Sequence, residues 1–362
     1  MTTIYLIRHA EAEGNLYRIA QGQDDSILTD RGWRQVRTLE RRFDGVRIDE
    51  VYTSDLYRTR ATASALYLPR HLTPHLMLEL REIHVGVWER KTWGEIVRRW
   101  PAEMADFGQR MDRWHMEGAE TAAQVLERAL GALRKIAAEN GGKTVAVFSH
   151  GYVIRLVLAN LRGISLRDTG ASTPTGDNTA VSLLEWDGET LRVAWQNDNS
   201  HLLTPEYLAG EKVRKRANAL EPGLYFAPLR LPEQAELLAG LVSAAGEDAG
   251  DHPGPDDAPC PALVGYLGEE PVGLVRFGPE KGEIALICVR QDCRKRGFGV
   301  QLIGQAVYHW RPLGADRLTA VLPGGCAAER FFADCGFAPV EETGEGKTLW
   351  AKDIGFNPLF KS

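Results

Sequence analysis

Thr3-Ile4-Tyr5-Leu6-Ile7-Arg8-His9-Ala10-Glu11 is a short apolar run that ends abruptly in an arginine, a histidine and a glutamate. Continuous apolar sequence of this length, without polar alternation, reads as a strand buried on both faces; such strands belong to parallel sheets covered by helices. Ligands of open α/β sheets bind beyond the carboxyl ends of the strands, where Arg8 and His9 fall. The figure recurs at 144–148, a second apolar strand that delivers Ser149-His150-Gly151. Two histidines brought to the same edge of one sheet can face a common substrate.

Working outward, strand and helix patterns alternate. Helical spacing covers 31–43, a strand 49–53, and a helix 55–66 with Ser54 as its expected N-cap. A longer amphipathic helix spans 122–139 and stops at Asn140-Gly141-Gly142, and another follows at 153–161. The fold class is therefore α/β, a mostly parallel sheet flanked by helices on both faces. Arg58 falls at the start of the 55–66 helix, where free N–H groups and the dipole favour an anion and a guanidinium adds planar donors matched to phosphate oxygens. Glu82, in Leu80-Arg81-Glu82, supplies a carboxyl group.

Taken together, Arg8-His9-Ala10-Glu11, Asn15, Gln21-Gly22, Leu28-Thr29-Asp30-Arg31-Gly32, Ser54-Asp55-Leu56-Tyr57-Arg58-Thr59, Leu80-Arg81-Glu82 and Ser149-His150-Gly151 resemble the histidine phosphatase, or phosphoglycerate mutase-like, superfamily. Gly118-Ala119-Glu120-Thr121 and Asn178-Thr179-Ala180-Val181 fit the same order. The resemblance implies a metal-independent phosphomonoesterase without a cofactor. His9 would be the nucleophile, with Arg8, Arg58 and His150 around the phosphoryl oxygens. Glu82 would be the acid and then the base, a role that asks for a carboxyl protonated when substrate is bound. Asn15, Gln21 and Gly22 would contact the substrate. The superfamily holds mutases as well, which must exclude water. The short domain, with 88–119 as its one sizeable candidate lid, favours hydrolysis over a phosphoglycerate-type mutase. Trp93, Trp100 and Trp114 in that stretch read as packing.

Beyond a polar helical stretch at 205–220 and Glu221-Pro222-Gly223 the character changes. A strand at 284–289 runs into Arg290-Gln291-Asp292-Cys293-Arg294-Lys295-Arg296-Gly297-Phe298-Gly299, followed by an amphipathic helix at 300–310. A glycine turn entering a helix presents backbone N–H groups to an anion such as a pyrophosphate. Arg294-x-x-Gly297-x-Gly299, with Ala328-Glu329-Arg330-Phe331-Phe332-Ala333-Asp334-Cys335-Gly336-Phe337 after it, resembles the GNAT acetyltransferases. That implies a smaller α/β domain with a mixed sheet, binding acetyl-CoA through Val289, Arg294, Lys295, Arg296, Gly297, Phe298 and Gly299. Phe332 stands where many members have the tyrosine that protonates the thiolate, so an acyl-CoA-sensing module without turnover is the alternative to N-acetyl transfer. Glu283 is a candidate base. The expected domains are 1–205, a helical connector at 206–222, and 223–362, with a Gly-, Pro- and Asp-rich loop at 244–261 inside the second.

Composition limits the remaining readings. Forty-three Lys and Arg against 49 Asp and Glu give a net charge of −6, which provides no electrostatic case for nucleic acid as a partner. No apolar run approaches the ~20 residues of a membrane span. Met1-Thr2-Thr3 leads straight into the first strand without a basic leader, and five cysteines without CxxC spacing suit neither a disulfide scaffold nor a zinc site. A cytoplasmic protein acting on a small phosphoester and an acyl-CoA is the expectation.

Overall fold

The computed structural model describes residues 1–211, 223–245, 261–344 and 346–356. The 206–222 connector and the 244–261 loop lie largely outside the described residues. In chain order the elements are β1 (Thr2–Arg8), α1 (Glu13–Tyr17), α2 (Asp30–Arg42), β2 (Glu50–Thr53), α3 (Tyr57–Tyr67), β3 (His75–Leu76), α4 (Trp93–Arg99), α5 (Pro101–Gln109), α6 (Ala122–Glu139), β4 (Thr144–Ser149), α7 (Gly151–Leu161), α8 (Leu166–Ser172), β5 (Val181–Trp186), β6 (Leu191–Asp198) and α9 (Pro205–Gly210). There follow β7 (Tyr225–Pro228), α10 (Ala235–Ala245), β8 (Ala262–Leu267), β9 (Glu270–Phe277), β10 (Ile284–Val289), α11 (Phe298–Trp310), β11 (Arg317–Pro323), α12 (Ala327–Asp334), β12 (Ala338–Gly344) and β13 (Lys347–Asp353).

The first sheet has the order β3-β2-β4-β1-β5-β6. Its first four strands run parallel, and β5 and β6 close the edge antiparallel. Side-chain alternation along β1 and β4 splits the core into two layers. Ile4, Leu6, Val145 and Val147 face α6, α7 and a cluster of Trp88, Trp114 and Tyr152, while Ile7, Ala146 and Phe148 face α2 and α3. The tryptophans at 88–119 are thus packing residues. Local signals place the helices: Thr29 caps α2 by accepting Gly32 N–H, and Thr121 with Gln124 forms a capping box on α6. The helix after β2 starts later than its sequence suggests, with Leu56 as N-cap. Ser54 instead accepts the Leu56 N–H, and its carbonyl takes the Thr59 hydroxyl.

The second domain is a smaller α/β unit with antiparallel sheets ordered β10-β9-β8-β7 and β11-β13-β12. Among the described residues the two sheets join through one parallel bridge, Glu283 to Thr319, which makes the combined sheet mixed. β10 and β11 therefore meet at one end, and α11 leaves from the other end of β10. No helix among the described residues is long and apolar enough to cross a membrane.

Candidate active site

Adjacent parallel strands β1 and β4 pair Arg8 with Ser149, so His9 and His150 leave the sheet side by side, their ring centroids 5.3 Å apart. His9 Nδ1 lies 2.7 Å from the Ala10 carbonyl. A carbonyl only accepts, so Nδ1 carries the proton and the neutral ring keeps its lone pair on Nε2. Burial, then the guanidinium groups of Arg58 and Arg8, hold the His9 pKa well below that of a free imidazole. His150 is lowered in the same way, first by burial and then by Arg58.

Arg8 donates to the Gly176 carbonyl at 2.6 Å, and Arg58 to the carbonyls of Gly22 (2.7 Å) and Asp24 (3.0 Å). A side chain on Gly151 would come within 3.0 Å of Arg8 Nε, so this glycine gives the guanidinium room. Arg8 Nε, Arg58 Nε and both ring nitrogens of His150 are buried without a hydrogen-bond partner among the described residues. Each such group costs about 1–3 kcal/mol of lost solvation. Gathered beside His9, these groups could satisfy a bound anion.

Glu82 completes the cluster. Its carboxylate accepts the N–H groups of Tyr152 (3.2 Å) and Val153 (3.3 Å) in the first turn of α7, directly after His150. Both Arg8 and Arg58 sense its charge. Arg128 on α6 holds the Glu82 loop by donating to the carbonyls of Glu79, Arg81 and Glu82, and is itself paired with Glu120.

The structure corrects one expectation. The N-terminus of α3 receives the Asp25 carboxylate, at 2.8 and 3.1 Å from Tyr57 N, and is not left open for a substrate anion. Asn15 accepts Ala12 N–H through Oδ1, so its Nδ2 is unengaged among the described residues. Gln21 donates to Ser26 Oγ at 2.6 Å and packs over Gly14. Gly22 has φ +49°, and a Cβ there would meet Glu89 Oε1 at 2.0 Å.

Sequence reading missed what lies behind His9. The His9 carbonyl accepts Asn178 Nδ2 (3.0 Å) and Thr179 N–H (3.3 Å). Thr179, at φ +62°, donates its hydroxyl to the Asn178 carbonyl and so accepts from His201 Nε2 at 3.0 Å. His201 Nδ1 lies 3.2 Å from Arg42, which can only donate, and Arg42 pairs with Asp198. Asn178 and Thr179 were recognisable as a motif, but their contacts with His9 span some 170 residues of sequence. Arg42 and Arg128 carry no local signal beyond being arginines on helices.

In the second domain α11 begins at Phe298, two residues earlier than expected, with Gly297 as N-cap at φ +85°. Gly299 lies under the Phe331 ring, 2.8 Å from where a Cβ would sit. Arg296 stacks over Phe298 at 4.9 Å, and Lys295 has φ +60°. Arg294 is turned inward, donating to the carbonyls of Val289 (3.3 Å) and Ala245 (2.5 Å). Phe332 is buried between Phe331 and Phe337. Glu283 accepts Glu280 N–H in the β9–β10 turn, at the far end of β10 from this loop. Among the described residues no group of three or more His, Cys, Asp or Glu gathers in a way that could hold a metal ion.

Comparison with known proteins agrees with both halves. Residues 4–199 match the histidine phosphatase superfamily (branch 1), and residues 236–337 match the acetyltransferase (GNAT) family. A metal-independent phosphoserine phosphatase of Arabidopsis thaliana is 32% identical over 58% of this chain and 86% of its own length. Phosphoserine phosphatase 1 of Hydrogenobacter thermophilus is 28% identical over 46% of this chain and 79% of its own. Among solved structures, Bacillus stearothermophilus YhfR superposes with a TM-score of 0.54 and 35% identity, over 56% of this chain and all of that one.

Proposed function

The chain belongs to the histidine phosphatase superfamily, and from that premise we propose that its first domain hydrolyses phosphomonoesters, without a metal, through a phosphohistidine on His9. The observation that carries the reading is the 2.7 Å bond from Nδ1 to the Ala10 carbonyl, which leaves the lone pair of a neutral ring on Nε2. Nε2 attacks phosphorus as the bond from phosphorus to the ester oxygen breaks, and Glu82 protonates the departing alkoxide. Arg8, Arg58 and His150 hold the charge on the three non-bridging oxygens. Water then attacks the phosphohistidine, gives its proton to Glu82, and inorganic phosphate leaves as His9 is restored. Asn15 Nδ2 donates to the bound phosphoryl group or its substituent, while Gln21 and Gly22 shape the loop that anchors Arg58.

For the second domain the same reading is acyl-CoA binding by 289–299, the pyrophosphate lying over the first turn of α11, and transfer of the acetyl group to an amine. Burial of Phe332 and the engagement of Glu283 in a turn favour a second reading, binding without turnover. Acetylation of a panel of amines by the wild type, lost on Gly297→Val, would decide for transfer.

The first reading is tested by phosphate release in EDTA from an aryl phosphate and a panel of metabolite phosphoesters, wild type against His9→Ala. Metal-free release abolished by the substitution is the expected result. An isomerised phosphoester with little free phosphate would instead identify a mutase.

A further inference from the structure

The second domain packs on the elements that leave the carboxyl edge of the first domain's sheet, where the catalytic cluster lies. One stripe of α11 makes much of the contact. Gly304, in mid-helix, lies against Tyr17 of α1, and an added Cβ would sit 2.5 Å from that ring. Four residues on, Tyr308 lies beneath the guanidinium of Arg90 at 5.5 Å. Three further on, just past the helix end, Arg311 makes a two-bond ion pair with Glu13 of α1, at 2.8 and 3.0 Å. The i, i+4, i+7 spacing puts all three on one face. Beyond β13, Phe356 packs edge-on against Tyr57, the neighbour of Arg58.

The first domain's backbone also approaches the second closely. Gly94, in the first turn of α4, lies against the Gly223 backbone, where a Cβ would be 1.9 Å from a carbonyl oxygen. Arg90 holds φ +64°, a conformation that a residue with a side chain rarely adopts. The Glu13–Arg311 pair is also deep, with side chains 4% and 16% exposed.

α1 has five residues, too few to hold a helical conformation unaided. It follows His9 by three residues and carries Asn15. Glu13 is its buried charge, and that charge is satisfied from the other domain. We propose that Arg311, a residue of the acetyltransferase domain, is a positioning residue for the phosphatase: through Glu13 it holds α1, and with it Asn15, at the phosphoryl site. The proposal rests on the phosphatase reading above. His9, Arg8, Glu82 and His150 stand on other elements, so loss of Arg311 loosens substrate binding more than it slows chemistry.

The test uses the full chain and compares Arg311→Met, Glu13→Gln and the double variant with wild type. KM and kcat for an aryl phosphate are measured, and the Kd of inorganic phosphate is taken by titration calorimetry. Arg311→Met is expected to raise KM and the phosphate Kd about tenfold with kcat within about threefold, because a buried carboxylate loses its partner. The double variant, which has no unpaired charge but also no ion pair, is expected to stay about as impaired as Arg311→Met, because it is the pair that holds α1. Unchanged KM and Kd in Arg311→Met, or a double variant that returns both to wild-type values and so reduces the effect to an unpaired buried charge, would overturn the proposal. Should Arg311→Met fail to fold, Arg311→Lys decides: it keeps the charge but not the two-bond geometry, and an unchanged KM and Kd rejects the positioning role. Wild-type protein that releases no phosphate would sink the phosphatase reading alone, since the phosphate titration still reports whether Arg311 shapes the anion site.

Discussion

His9 has a proton fixed on one nitrogen and a pKa pulled down by burial and two arginines, so its nucleophilic form persists into acid. A free imidazole, with a pKa near 6.5, is mostly protonated at pH 6. The acid limb of kcat/KM for phosphate release is therefore expected below pH 6.5, and a limb at or above that value would contradict the burial argument. Stability follows the same sign. A base whose folded pKa is depressed takes up its proton in the unfolded state first, so its contribution is whole above the unfolded pKa and falls as pH drops through the folded one. His9, His150 and His201 all lie in this direction. For His201, 6% exposed and with its pKa lowered to about 4 by burial and then Arg42, the loss is on the order of 3 kcal/mol between about pH 6.5 and 4. Urea unfolding at stepped pH would measure it. The link from His201 through Thr179 to the His9 carbonyl predicts that His201→Phe lowers kcat about tenfold, whereas His201→Gln, which keeps one donor and one acceptor, stays within about threefold.

Helix ends do much of the electrostatic work in this molecule. The first turn of α7 holds Glu82 and the first turn of α3 holds Asp25, so two dipoles that could have bound substrate orient carboxylates of the protein itself. Asp25 sits on the loop whose carbonyls at Gly22 and Asp24 anchor Arg58. Asp25→Ala removes two acceptor contacts from the α3 N-terminus and frees that loop. A stability loss of about 1–2 kcal/mol is expected, with a fall in kcat/KM, since capping residues of this kind are worth that much. Chemical denaturation and steady-state kinetics on the same variant would separate the two effects. A variant of wild-type stability and activity would show that the α3 end is held by something else.

At the scale of the whole chain, two glycines inside helices have opposite meanings. Gly131, in α6, is exposed with nothing among the described residues within 4 Å of an added Cβ, whereas Gly304, in α11, has its Cβ position filled by Tyr17 of the other domain. Gly131→Ala is expected to stabilise by about 0.5–1 kcal/mol through helix propensity. Gly304→Ala gains the same propensity but forces the docked face apart, and a net loss of about 1–3 kcal/mol is expected. Thermal melts of the two variants side by side check both signs. Equal shifts would mean that the contact at Tyr17 adds nothing to stability.

How much of this was legible in sequence depends on the range of the interaction. Strand identity, the sheet's parallel character and the arrival of Arg8, His9, Ser149 and His150 at one edge all follow from apolar runs and their polar ends, because period and length act over a few residues. The stop of α6 at Asn140 and the turn at Gly297 were legible for the same reason. The start of α3 was misplaced because its N-terminal contacts come from Asp25, more than thirty residues away. The Thr179–His201–Arg42 support of His9, the Arg128 clamp on the Glu82 loop and the Glu13–Arg311 pair join segments separated by tens to hundreds of residues. Apolar runs and their spacing along the chain mark the main strands and helices of the first sheet and the edge at which Arg8, His9 and His150 emerge. Only the tertiary structure decided which buried charges are satisfied and by whom, because a buried group's partner is chosen by packing and leaves no periodic trace along the chain.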